Sequence, residues 1–220
     1  MHKIENVILD LGGVLYTLDF TFVCDGFYRK CGKTVIDIQN VLYAEDLFIS
    51  YETGKISSFQ YYDAVINRLA YRMSFQEFKE IWNSILVKRD DMFRFTLMLK
   101  RYANIFILSN TNELNAEVLE KDLLPITSKI IYSFKVGCMK PDQKIYRTAL
   151  EEWCITPEKT VFIDDLEENV AAARLLGIHS HLFSGARGFI NFLKKARILP
   201  YTLIEEVEQT FSVSNRNTPG

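Results

Sequence analysis

Cysteine is scarce in this chain and shows no paired spacing: Cys24, Cys31, Cys138 and Cys154 form no C-x-x-C motif and do not cluster with the three histidines. Neither a zinc site nor a disulfide framework is expected, and reduced thiols in a cytoplasm fit the pattern. An excess of one charge is also missing, with 26 basic against 28 acidic residues and a net charge of −2. Without a global positive field, neither nucleic acid nor an anionic membrane is the expected partner. No apolar run nears the roughly 20 residues that span a bilayer. The N-terminal run is too short for a cleavable signal and ends in an acid. What is present is a globular composition, 48% hydrophobic over 220 residues. It excludes a disordered or fibrous class and suffices for one sizeable core, with or without a smaller insertion.

The most informative stretch is residues 4–16, IENVILDLGGVLY. Val7, Ile8 and Leu9 form a short continuous run rich in β-branched residues and bounded by a turn signal, the pattern of a strand buried on both faces. The run ends abruptly at Asp10. In an open α/β sheet ligands bind beyond the carboxyl ends of the strands, so a carboxylate there has a reason other than packing. Gly12 and Gly13 permit close approach of the backbone to a ligand. Taken alone, Asp before Gly-Gly is equally an ordinary turn former.

Between about residues 20 and 100 helical periodicity replaces short β runs, as expected of a helical insertion. Ser57-x-x-Gln60 and Ser74-x-x-Glu77 match the capping box and predict helices near 58–70 and 75–87. Phe59, Tyr62, Val65, Ile66 and Leu69 follow the spacing of one apolar face, as do Phe75, Phe78, Ile81, Trp82 and Ile85. Stripes at this spacing are expected to be mainly the core of the insertion, with a pocket lining as the alternative. A further helix is expected over 90–101.

Residues 104–112, NIFILSNTN, repeat the geometry of the first run and end in Ser109 and Asn110. A hydroxyl, an amide and free helix N–H groups at one point suit an oxyanion such as phosphate, although the same residue types also serve as plain N-caps. A short run at 130–133 precedes Lys140-Pro141 and a helix over 142–153, with Pro141 in its first turn. A lone lysine is ordinarily a solvated charge. In TVFIDDLEENV, residues 160–170, a buried-type run ends in Asp164 and Asp165. Adjacent carboxylates at a strand end repel each other unless a cation or proton offsets them, and such hard oxygens suit Mg²⁺. A helix near 167–176 with Gly177 as its cap and a strand near 178–183 follow, and the polar tail SVSNRNTPG is expected to fray.

The alternation argues an α/β, Rossmann-like parallel sheet with helices on both faces and an inserted helical cap. Residues 1–16 and 97–220 form the core in this reading and 17–96 the cap. Asp10 in DLGGV, Ser109 in LSNTN, Lys140 in MKPD and Asp164-Asp165 in FIDDLEEN, in that order, resemble the four motifs of the haloacid dehalogenase-like hydrolases. Within that superfamily the chain is most similar to the group with a helical cap after the first motif, which includes bacterial sugar-phosphate phosphatases and the phosphatase domain of soluble epoxide hydrolase.

The resemblance implies a Mg²⁺-dependent phosphatase acting on a small phosphorylated metabolite, with a sugar phosphate favoured. Asp10 would be the nucleophile that forms an aspartyl-phosphate. Ser109 with the Asn110 region would hold the phosphoryl oxygens, and Lys140 would neutralise Asp10 and the transferring group. Asp165 would bind Mg²⁺ with the Asp10 carboxylate and the Gly12 carbonyl, with Asp164 supporting that shell. The chain departs from the pattern at Gly12, where related phosphatases commonly have an Asp that protonates the leaving oxygen. Loss of that acid implies a slower phosphatase unless another group, such as Asp19 or a cap residue, substitutes for it. The alternatives are a metal-independent 2-haloacid dehalogenase, which the acid pair disfavours, and a non-catalytic phosphate-binding protein, which Gly12 keeps open.

Overall fold

The computed structural model describes residues 3–198, so the polar tail read as frayed lies outside the described residues. Strand β1 (Asn6–Leu9) is buried along its whole length, as its unbroken apolar run requires in a sheet covered on both faces. It lies at the centre of a parallel five-stranded sheet ordered β5-β4-β1-β6-β7. The other strands are β4 (Asn104–Ser109), β5 (Ile130–Tyr132), β6 (Thr160–Asp164) and β7 (His179–Leu182), while β2 (Tyr16–Leu18) and β3 (Leu86–Lys88) form a separate antiparallel ribbon.

Register follows from the period-2 alternation. Val7, Leu9, Ile107 and Ile163 point into one apolar cluster and Ile8, Phe106 and Phe162 into another, so a one-residue slip would exchange every side chain between faces. The eleven α-helices among the described residues fall into two sets. Helices α1 (Phe20–Cys31), α2 (Val35–Leu42), α3 (Glu45–Glu52), α4 (Ser58–Leu69) and α5 (Phe75–Asn83) lie between the two strands of the ribbon. Helices α6 (Asp90–Leu99), α7 (Glu113–Leu123), α8 (Ser133–Val136), α9 (Gln143–Glu152), α10 (Glu167–Leu175) and α11 (Ala186–Lys195) belong to the sheet. Residues of α6, α7 and α11 cover one face and residues of α9 and α10 the other.

The first set shares its own apolar core, including Phe27, Ile38, Tyr61, Phe78 and Trp82. Both predicted capping boxes form: the Gln60 N–H donates to Ser57 Oγ while Ser57 N–H donates to Gln60 Oε1, and Glu77 and Ser74 do the same. The structure corrects four details. In α4 the buried stripe is Tyr61, Val65 and Leu69, one step round from the expected face, and Phe59 is exposed. Helix α5 ends at Asn83 because Leu86–Lys88 leave it to pair with β2. Helix α6 falls within the 17–96 segment, yet its Met92, Phe93 and Phe95 pack into the core of the sheet. Pro141 precedes α9, whose cap is Asp142.

Candidate active site

Because the strands of the sheet are parallel, the residues that end β1, β4 and β6 emerge at one edge, the place where such sheets bind ligands. Asp10 is still anchored to β6, its N–H donating to the Ile163 carbonyl at 2.9 Å. Beyond it the chain turns tightly: the N–H groups of Leu15 and Tyr16 both donate to the Leu11 carbonyl at 2.8 Å. Gly13 occupies the left-handed region with φ +69°, which a side chain would disfavour.

Lys140 is the centre of the charge arrangement. Its Nζ lies 2.8 Å from Asp10 Oδ1 and 2.6 Å from Asp164 Oδ2, and all three side chains are buried or nearly so. The lysine read from its position alone as a solvated charge is thus only 2% exposed. Its loop is held by a two-way clasp in which Lys140 N–H donates to Asn110 Oδ1 at 2.8 Å and Asn110 Nδ2 donates to the Lys140 carbonyl at 2.9 Å. The Asn110 side chain therefore serves to position Lys140. Burial pushes the Asp10 carboxyl up, Lys140 pulls it back and Asp164 raises it again. Burial would lower Lys140, but the two carboxylates outweigh it and hold the ammonium above its ordinary value.

The two adjacent acids have different surroundings. Asp164 is fully buried; besides Lys140, it accepts from Leu166 N–H at 3.0 Å and Asn169 Nδ2 at 2.9 Å, both on Oδ1. Asp165 as a residue is exposed, yet partial desolvation of its carboxyl, with the neighbouring Asp164, raises its pKa. One oxygen from each of Asp10, Asp164 and Asp165 lies within 4.8 Å of the others. An acidic cluster of this kind, with one carboxylate facing solvent, fits a divalent cation such as Mg²⁺.

Ser109 ends β4 and is buried. It is no helix cap, because that duty falls to Asn112, whose Oδ1 accepts from Asn115 N–H at 3.1 Å. Gly12, Ser109 and Asn110 line a cavity of about 100 Å³ shared with Leu18, Tyr43, Glu52 and Trp82 of the inserted segment and its flanking strand. Of Asp10, Ser109, Lys140 and Asp164, Ser109 alone lines this cavity, which is floored by Leu11 and Gly12 next to Asp10; three roomier concavities, of about 300 to 370 Å³, are lined by none of the four. Asp19 does not line this cavity; it caps α1 by accepting from Thr21 N–H at 2.9 Å.

Sequence reasoning missed Asn169, Asn112 and Glu52. The signal for Glu52 was faint but present, since a glutamate that closes a helix has the wrong sign for the helix dipole. Asn169 and Asn112 carried no signal of their own, since both look like helix-start residues.

A family model described as haloacid dehalogenase-like hydrolase matches residues 4–177. The chain is 24% identical to D-ribitol-5-phosphate phosphatase of Bacteroides thetaiotaomicron, over 80% of this chain and 90% of that protein. It is 31% identical to drimenol cyclase drtB of Aspergillus calidoustus over 82% of this chain, a match that spans 34% of that longer protein. Among solved structures it resembles a HAD family enzyme of Bacteroides thetaiotaomicron in complex with magnesium and inorganic phosphate. The TM-score is 0.73 at 27% identity, covering 81% of this chain and 93% of that one.

Proposed function

We propose a reaction for this chain from the premise that it belongs to the haloacid dehalogenase-like hydrolases: it is a magnesium-dependent phosphatase that passes the phosphoryl group of a small phosphomonoester to Asp10 and then to water. The observation that carries this reading is the buried Asp10–Lys140–Asp164 arrangement, with Asp165 completing an acidic cluster at the strand ends. A sugar or polyol phosphate is the favoured substrate, supported by the relative that acts on D-ribitol 5-phosphate. The four free thiols support a reducing, cytoplasmic setting. Among the described residues no helix is long and apolar enough to cross a membrane.

Asp10 is the nucleophile of this scheme. The Leu11 N–H donates to its Oδ1 at 2.7 Å and Lys140 reaches the same oxygen, so the carboxylate is oriented and its second oxygen is left to attack phosphorus. Ser109 and the main chain after it receive the phosphoryl oxygens, and Lys140 offsets charge as the group transfers. Asp10, Asp165 and the Gly12 carbonyl are the residues we assign to magnesium. Asp164 stands behind them, since both of its oxygens already accept from protein donors. When bound, the ion supplies the charge neutralisation that lets a carboxylate approach a phosphate. The acid pair also argues against metal-free dehalogenation, a reaction with no cation for the pair to bind.

The test is turnover of a panel of phosphate esters and 2-haloacids by the wild type and by Asp10→Asn, with and without Mg²⁺. The expected result is Mg²⁺-dependent release of phosphate that falls by on the order of 10⁴-fold or more in the variant. Halide release without metal, or near-normal phosphate release by Asp10→Asn, would overturn the reading.

A further inference from the structure

Gly12 leaves the Asp10 loop without a side chain to protonate a departing alcohol. Its φ is not among the positive ones, so the backbone does not demand glycine; Leu18 fills the space instead, its Cδ1 2.9 Å from where a Cβ would stand. Among the described residues that line the cavity over this loop, Glu52 is the one carboxyl-bearing side chain. Building on the phosphatase reading above, we propose that Glu52, supplied by the cap, is the catalytic acid that protonates the leaving oxygen of an alkyl phosphate.

The surroundings of Glu52 favour its protonated form. It is 4% exposed and is the last residue of α3, at the negative end of that helix dipole. No Lys or Arg pairs with it among the described residues. Burial pushes its carboxyl up to about 7, against the pull of one hydrogen bond from Asn112, and an acid of that strength serves best near neutral pH. The titratable groups that sense it are the hydroxyls of Tyr43, Tyr51 and Tyr61, all themselves raised by burial and so protonated in this range.

The Asn112 side chain fixes the orientation of the acid. Its Nδ2 donates to Glu52 Oε1 at 2.7 Å and to Asn115 Oδ1 at 2.8 Å, while its Oδ1 accepts from Trp82 Nε1 at 3.2 Å and from Asn115 N–H. Every hydrogen-bonding capacity of that amide is engaged, so Glu52 Oε1 is held as an acceptor. The acidic proton then belongs on Oε2, which has no partner among the described residues. The Tyr43 hydroxyl, buried with no partner among the described residues, lines the same cavity and suits a hydroxyl on the leaving group.

The bond from phosphorus to the leaving oxygen breaks as the Asp10 oxygen bonds to phosphorus, and the proton of Glu52 passes to the departing alkoxide to give the free alcohol. When water attacks the aspartyl-phosphate, Glu52 takes one of its protons. Asp10 is released as a carboxylate with inorganic phosphate.

The experiment measures kcat/KM for a series of aryl and alkyl phosphates in the wild type, Glu52→Gln and Glu52→Gln with Gly12→Asp. In Glu52→Gln, alkyl esters should lose roughly 10²–10⁴-fold more than p-nitrophenyl phosphate, whose phenolate leaves without a proton. The fall in kcat/KM above about pH 7 that marks deprotonation of Glu52 should vanish. Gly12→Asp in that background should recover part of the alkyl rate, since the exposed end of Leu18 can yield to the new side chain. Residual aryl turnover together with the thermal unfolding midpoint reports that Glu52→Gln is folded. A uniform loss across the series, or a rise in KM with an unchanged pH profile, would make Glu52 a structural or hydroxyl-binding residue and overturn the proposal. Absence of any phosphatase activity in the wild type would instead remove the reaction on which it rests.

Discussion

The carboxylate of Asp165 stands directly over Gly13: a Cβ built on that glycine would lie 2.0 Å from Asp165 Oδ2. The exposed acid is thus seated on the turn that follows the nucleophile, and the turn makes room for it by having no side chain. The left-handed φ of Gly13 acts in the same direction, so two independent constraints coincide at one residue.

Gly13→Ala should therefore weaken Mg²⁺ binding as well as stability. The backbone strain is expected to cost about 1 kcal/mol or more, and displacement of Asp165 should raise the Mg²⁺ concentration for half-maximal activity by at least about tenfold, as loss of a supporting contact does at metal sites. Mg²⁺ titration of activity, with thermal melting alongside, measures both. Unchanged Mg²⁺ affinity would separate Asp165 from the metal.

Chelation with EDTA should abolish turnover, and excess Mg²⁺ should restore it in the wild type. In Asp165→Ala the same addition should restore little, because the solvent-facing ligand is gone. Isothermal titration with Mg²⁺ provides a readout independent of activity, and equal affinities in the two proteins would count against Asp165 as a ligand.

Lys140→Met should destabilise the metal-free protein strongly. The ammonium faces both Asp10 and Asp164, and removing one partner from a buried ion cluster leaves uncompensated charge at a cost on the order of 3–5 kcal/mol. Urea denaturation at pH 8 checks this, and the loss should shrink as pH falls and the Asp10 carboxyl, raised by burial, takes up a proton.

The pH dependence of stability offers a separate view of Glu52. Its carboxyl is raised from 4.5 to about 7 on folding, so between those values the folded state holds a proton that the unfolded state has released. The contribution of this group to stability is then full below pH 4.5 and is lost as pH rises through about 7, by on the order of 3 kcal/mol. Glu52→Gln, which keeps the shape and the Asn112 contact, should be less stable than or equal to the wild type at pH 4 and more stable at pH 8. Parallel stability curves for the two proteins would show that Glu52 ionises normally.

Much of the site was legible because its residues end contiguous apolar runs. Asp10, Ser109 and Asp164 each terminate a short β stretch, and parallel packing of such stretches brings their carboxyl ends together whatever the loops do. Both helix starts at Ser57 and Ser74 were equally local, each settled by hydrogen bonds within four residues. Other features depended on distant partners. Which face of α4 is buried was decided by neighbouring cap helices, since Tyr61 and Tyr62 satisfy nearly the same periodicity. The ribbon of Tyr16–Leu18 with Leu86–Lys88 joins segments too short to show a pattern. Lys140 is a buried counter-charge through partners distant in sequence, Asp10 and Asp164 at its ammonium and Asn110 at its backbone. Glu52 lies 60 residues from Asn112, and nothing local says that a helix-ending glutamate will be enclosed over Gly12. Burial and the loss of solvent around a charge belong to the packed molecule, and these two properties turn an ordinary glutamate into an acid near pH 7.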